Sequence, residues 1–139
     1  MPQVVWNDSF NTDILMIDNQ HRKLVQIMNE LGTAMSAGRG REALCEALSG
    51  LFAYTKYHFE AEEKEMRANA YPEEEQHRKA HREFAERLSA LNEKLKGGGF
   101  PVTVETMHFL SRWIQDHIMV QDKAFGRFLA GLEIALAED

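Results

Sequence analysis

The chain has 139 residues, 44% of them hydrophobic, which is long enough for one compact domain with a real core and too short for two comfortable ones. Its formal charge of −6, from 16 basic against 22 acidic side chains with no long basic run, excludes the electrostatic footprint of a nucleic-acid binder. No apolar stretch approaches the ~20 residues of a membrane span, and the opening residues lack the charged and apolar regions of a secretory signal, so no membrane insertion and a cytoplasmic address are expected.

Glycine and proline divide the chain into long helical blocks without strand-like alternation. The first stretch, carrying Trp6 and Phe10, reads as an extended arm. Asp18 is a favourable N-cap and predicts a first helix running to about Ala37, where Gly38-Arg39-Gly40 stops it. Its apolar positions Ile17, Leu24, Ile27, Met28, Leu31 and Met35 recur at helical spacing. A second helix is predicted from about Arg41 towards Met66 or Asn69, with Leu44, Leu48, Leu51, Phe52, Tyr54 and Phe59 on its apolar side. The lone Cys45 lies in it and reads as a small core or boundary residue.

A third helix is expected to open with Pro72 in its first turn and Glu73, Glu74 and Glu75 near the positive dipole end, and to stop at Gly97-Gly98-Gly99. A fourth follows Phe100-Pro101 and runs from about Thr103 or Val104 to about Val120. Phe125, Phe128, Leu129, Leu132, Ile134 and Leu136 then predict a short C-terminal helix. Four helices of this length with short connections imply an all-α, up-down-up-down antiparallel four-helix bundle with an N-terminal arm, in a single domain covering the whole chain.

Five of the six histidines can converge with two carboxylates in that topology. His58 and Glu62 are four residues apart, as are His77 and His81, so each pair lies about 40° apart on one helical face. His21 near the start of the first helix, His58 and Glu62 late in the second, His77 and His81 early in the third and His117 late in the fourth all fall at one end of the bundle. His108 points away from His117, since nine residues are about two and a half turns. Asp122 comes five residues after His117, about 140° away on an ideal helix, which predicts a widened, kinked or ending helix between Ile118 and Asp122.

Five imidazoles, two bridging carboxylates and one bridging oxide or hydroxide would leave two six-coordinate ions one ligand short, and that position could take a small molecule. A histidine-rich set with carboxylates favours iron over the oxygen-loving Mg²⁺ and Ca²⁺, while zinc is satisfied by four ligands. A pair of irons is therefore the preferred assignment. Each ligating histidine should donate its other ring N–H to a nearby acceptor.

Glu74-x-x-His77 and Glu105-x-x-His108 also match the Glu-x-x-His pattern of ferritin-like carboxylate enzymes. That alternative leaves His21, His58, His81 and His117 idle. Surface or core-satisfied histidines would explain any single pair, but not seven convergent ligands.

The strings IDNQH ending at His21, HFEAEE from His58, QHRKAH ending at His81 and HIMVQD from His117 to Asp122 resemble the hemerythrins, most closely the single-domain bacterial members. The resemblance covers nearly the whole chain. It implies reversible dioxygen binding at a non-haem di-iron centre with a bridging oxo or hydroxo group. By that analogy His77, His81 and His117 hold one iron, His21 and His58 the other, and Glu62 and Asp122 bridge them, with the open position on the two-histidine iron.

Trp113 and Ile114, on the face of His117 one turn away, together with Ile118 and Phe59 beside ligands, are candidates for a dry dioxygen pocket, although ordinary core packing explains Phe59 and Ile118 equally well. Phe125, three residues after Asp122, offers no phenolic hydroxyl. An oxygen carrier, store or donor to an oxygen-consuming enzyme is expected, not an enzyme itself. The alternatives are a di-iron redox enzyme, acting on peroxide, nitric oxide or iron, and an oxygen sensor, which would usually carry an output domain as well.

Overall fold

The computed structural model describes residues 4–38, 40–98 and 103–138, with side chains described as far as residue 132. Four helical rods follow one another: α1 (Leu15–Ser36), α2 (Arg41–Ala68), α3 (Glu74–Lys96) and a last rod. That last rod is α4 (Val104–Asp116), a π-helical segment (His117–Asp122) and α5 (Lys123–Glu138). No strand occurs among the described residues. The all-helical reading and the helix order therefore hold, with differences at the ends that each have a local cause.

The first helix begins at Leu15, with Ile14 in the N-cap position, and Asp18 lies inside its first turn. The Asp18 carboxylate caps the arm instead: it accepts from the backbone N–H of Thr12 at 2.8 Å, the Thr12 hydroxyl at 2.7 Å and the Asp13 N–H at 3.1 Å. Pro72 stands outside the third helix, not in its first turn. The α2 terminus closes with Ala70 at φ 51° and Tyr71 N–H donating to Met66 O at 2.9 Å, a Schellman arrangement. A turn from Tyr71 O to Glu74 N–H, 3.1 Å, then takes Pro72 at its second position, so regular helix starts only at Glu74.

The expected separate C-terminal helix is a continuation of the fourth rod, because the π segment keeps helical dihedrals at both ends. Of the apolar residues expected there, Phe125 is buried and Phe128 and Leu129 pack against its cluster. The Ile134 and Leu136 side chains lie outside the described residues, as do Arg39, Gly99, Phe100 and Pro101.

The core has two parts. A long cluster includes Leu24, Val25, Met28, Leu48, Leu51, Phe59, Phe84, Leu88, Leu110 and Ile114, and Cys45 packs at its edge. A small one consists of Ile17, Met66, Tyr71 and Phe125. Along the first, second and last rods the small cluster lies about one turn to one side of the polar residues and the long cluster to the other: Ile17 before His21 and Leu24 after it, Phe59 before Glu62 and Met66 after it, Ile114 before His117 and Phe125 after Asp122. The polar layer is thus sealed between two apolar ones.

The arm covers this end. Asn29 clamps Val4 from both sides, accepting its N–H at 3.0 Å and donating to its carbonyl at 2.9 Å. Phe10, at the end of a 3-10 turn (Asp8–Phe10), is buried against Trp6, with ring centroids 5.2 Å apart. The Arg22 guanidinium sits over the Trp6 ring at 4.9 Å.

Candidate metal centre

All four rods deliver side chains to the layer. His21 comes from α1, His58 and Glu62 from α2, His77 and His81 from α3, and His117 and Asp122 from the π segment. Each is buried, Glu62 and Asp122 completely. The π segment solves the spacing problem, because a wider turn carries residue 122 back onto the face of residue 117. His117 Nε2 lies 3.1 Å from Asp122 Oδ1 as a result.

Two overlapping groups form, with ligand atoms in each within 4.8 Å of one another: Glu62, His77, His81, His117 and Asp122 in one, His21, His58, Glu62 and Asp122 in the other. The carboxylates divide their oxygens between the two groups. Glu62 Oε1 is 2.7 Å from His77 Nε2 and 3.3 Å from His81 Nε2, while Oε2 faces His58 Nε2 at 3.5 Å and His21 Nε2 at 3.8 Å. Asp122 Oδ1 is 2.9 Å from His77 Nε2, and Oδ2 is 2.9 Å from His21 Nε2.

These contacts do not satisfy the groups that make them. Both oxygens of Glu62, both of Asp122, and the Nε2 atoms of His21 and His58 are buried without a hydrogen-bond partner. His117 Nε2 also lies 2.9 Å from His81 Nε2 and 3.1 Å from His77 Nε2. Three imidazole nitrogens at such distances cannot all be satisfied by protons shared among them, whereas one cation would use every lone pair. Leaving that many buried acceptors unpaired costs on the order of 1–3 kcal/mol each. The arrangement fits a pair of metal ions.

The protonation equilibria of the metal-free layer tell the same story. Although burial opposes ionisation, His117 and the other surrounding imidazoles hold the Asp122 carboxyl well below the carboxylate range, and His77 and His81 hold Glu62 down. Burial also opposes protonation of His77, but Asp122 and Glu62 lift it to about 9. His58 goes the other way: burial pushes it down to about 4 against the pull of Glu62, so it remains neutral.

Outer contacts orient two of the rings. His58 Nδ1–H donates to Gln20 Oε1 at 2.7 Å, and His81 Nδ1–H donates to Glu63 Oε2 at 3.0 Å, turning each Nε2 inward. Neither Gln20 nor Glu63 carries a motif of its own. The available signal was position: Gln20 is a polar residue three after Ile17 and four before Leu24 in the apolar stripe, and Glu63 stands four after Phe59 and three before Met66.

Among the pocket candidates, Phe59 stacks on the His81 ring at 3.7 Å and 4°, and Trp113 on the His117 ring at 4.5 Å and 10°. Phe84, which sequence reasoning missed, stacks on Trp113 at 3.9 Å. These three rings wall the three-histidine group. Ile114 and Ile118 are buried in the long apolar cluster. Phe125 lies 4.9 Å from Tyr71, in the small one.

Glu105 and His108 are exposed, away from the layer, which removes the ferritin-like pairing. A surface cavity of about 120 Å³ lined by Tyr71, Glu73, Gln76, Val120, Gln121 and Ala124 reaches the edge of His77. A groove of about 560 Å³ between α1 and α4 is lined by none of the seven.

Compared with known proteins, residues 12–129 match the family described as hemerythrin HHE cation binding domain. A bacteriohemerythrin of Pseudomonas aeruginosa is 35% identical over 125 residues, covering 90% of this chain and 80% of that protein. One from Methylococcus capsulatus is 28% identical over 131 residues, covering 94% and 99%. A solved structure of wild-type hemerythrin superposes with a TM-score of 0.86 at 27% identity, covering 91% of this chain and 97% of that one. No described helix is long and apolar enough to cross a membrane.

Proposed function

We propose that this chain, which belongs to the hemerythrin family, binds dioxygen reversibly at two iron ions held by the seven side chains of the polar layer. The observation that carries the reading is the division of each carboxylate between a two-histidine and a three-histidine group. Glu62 and Asp122, common to both groups, would be shared between the two ions, with His77, His81 and His117 holding one and His21 and His58 the other. Imidazole with carboxylate suits iron, and the donor count exceeds what one closed zinc site uses.

Two irons joined through these carboxylates and an oxo or hydroxo group would supply reversible electron donation to dioxygen. The chain's own residues set where it enters and what is kept out. The two-histidine group has one protein donor fewer than the other, so a metal ion there would be the one with a position to offer an incoming ligand. Phe59, Phe84 and Trp113 cover the His81 and His117 side of the other group, Ile114 and Ile118 extend those dry surroundings, and the surface cavity reaches only the edge of His77. Neutral His58, fixed by Gln20, offers a lone pair without a proton to give away.

The role that fits is transport, storage or delivery of dioxygen in the cytoplasm, with an oxygen-consuming enzyme as recipient. Anaerobic reduction of the iron-loaded protein, followed by cycles of dioxygen and argon, tests it. Two irons per chain and a visible band that comes and goes with the gas are expected. Irreversible oxidation, or turnover of peroxide or nitric oxide with an electron donor, would make it a redox enzyme instead.

A further inference from the structure

Two imidazoles of the layer are held from behind, and their holders differ in charge. His58 donates to a neutral amide oxygen, Gln20 Oε1, at 2.7 Å, whereas His81 donates to a carboxylate, Glu63 Oε2, at 3.0 Å. Glu63 is itself fixed: its other oxygen accepts from Arg78 Nε at 3.0 Å, and Arg78 Nη1 lies 3.7 Å from Glu74 Oε2. Of the two hydrogen-bonded rings, the one in the three-histidine group therefore has an anion as its acceptor and the one in the two-histidine group a neutral dipole, while the Asp18 carboxylate acts on His21 through space without a hydrogen bond. We propose that Glu63 is a positioning residue that makes the position held by His77, His81 and His117 the more electron-rich of the two and biases it towards the oxidised ion. This inference rests on the di-iron reading above.

The physical basis is the basicity of the ring. An imidazole whose N–H donates to an anion carries more electron density on its other nitrogen, and a more basic ligand favours the more highly charged ion. Arg78 Nε, 3.0 Å from the other oxygen, pairs the Glu63 carboxylate with a permanent cation, so the group behind His81 is an ion-paired anion. Arg78 lies on the far side of the carboxylate from His81 and locks its orientation, so the His81 ring is aimed as well as charged.

Glu63→Gln tests the charge with little change of shape, since an amide oxygen can still accept from His81 Nδ1. Gln20→Glu is the converse change behind His58. Iron content is measured first, then the midpoint potential by anaerobic titration followed in the visible spectrum. Glu63→Gln should hold two irons and shift the potential upward. A tenfold loss of preference for the oxidised ion corresponds to about 59 mV for one electron. Gln20→Glu should shift it downward.

An unchanged potential in iron-replete Glu63→Gln would overturn the inference and leave the di-iron reading standing. If Glu63→Gln loses its iron, Gln20→Glu carries the test, and an unchanged or raised potential there is equally fatal. Wild-type protein that takes up no iron would sink the di-iron reading itself, which is a separate result.

Discussion

Replacing Gly126 with alanine probes how the arm closes the ligand end. A Cβ at this position would lie 2.5 Å from the Thr12 carbonyl oxygen, 3.2 Å from Thr12 Cβ and 3.3 Å from the Thr12 carbonyl carbon. The obstacle is mainly backbone, which cannot rotate aside as a side chain can, and the Asp18 carboxylate anchors that backbone through both Thr12 and Asp13. Overpacking costs about 1–3 kcal/mol. Alanine recovers about 1 kcal/mol of helix propensity over glycine. If Thr12 retreats, hydrogen bonds to a charged acceptor, about 1.5–3 kcal/mol each, are weakened as well. The expected net loss is about 2–4 kcal/mol, or a fall in Tm of roughly 10 °C for a domain of this size. Calorimetry of the metal-free protein measures it, and amide exchange at Thr12 and Asp13 should quicken. A Gly126→Ala protein as stable as wild type, with those amides still protected, would refute the account of the arm.

Iron removal should lower Tm, because a ligand that binds only the folded state at 1,000 times its Kd contributes about 4 kcal/mol; a chelator titration followed by circular dichroism checks it. In the metal-free protein, His77 has a folded pKa of about 9 against an ordinary value of 6.5. Its stabilising contribution is then full below pH 6.5 and lost as pH rises towards 9. Urea melts should therefore weaken across that interval, and His77→Gln should flatten the decline. Trp113→Ala removes the ring stacked on both Phe84 and His117. It should cost about 3 kcal/mol, the low end for such truncations because Trp113 is only partly buried, and the oxygenated spectrum should decay faster. Ala70→Gly relieves a left-handed residue at φ 51° and should stabilise by up to about 1 kcal/mol, read as a higher urea midpoint.

What could be read from the chain alone follows from periodicity. Helices of 22 to 28 residues announce themselves through repeating apolar positions, and ligand pairs four apart share a face whatever the exact helix ends. The junctions were harder. Asp18 looks like an N-cap in one dimension, and only the return of the arm makes Thr12 and Asp13 its donors. Pro72 fits either a first helical turn or a β-turn, and the closure at Ala70 and Tyr71 decides for the turn. The His117 to Asp122 spacing showed that regular helix had to fail there, but not that the rod would continue through a π segment. Gln20, Glu63 and Phe84 were hidden for a related reason: their contacts cross between helices, and no spacing within one helix encodes them.

The two carboxylates explain why a layer this polar can sit inside a bundle. Glu62 and Asp122 are fully buried, and without cations the surrounding imidazoles must answer their charge with protons. That answer is incomplete, since His58 stays neutral and all four carboxylate oxygens lack a hydrogen-bond partner. The apolar layers on either side and the arm above therefore hold together an arrangement that its own electrostatics do not favour. The small cluster of Ile17, Met66, Tyr71 and Phe125 closes one side, and the long core braces the other. A bundle built this way fixes ligands from four rods between two packed apolar layers. The free energy of metal binding to that layer then adds to the stability of the fold.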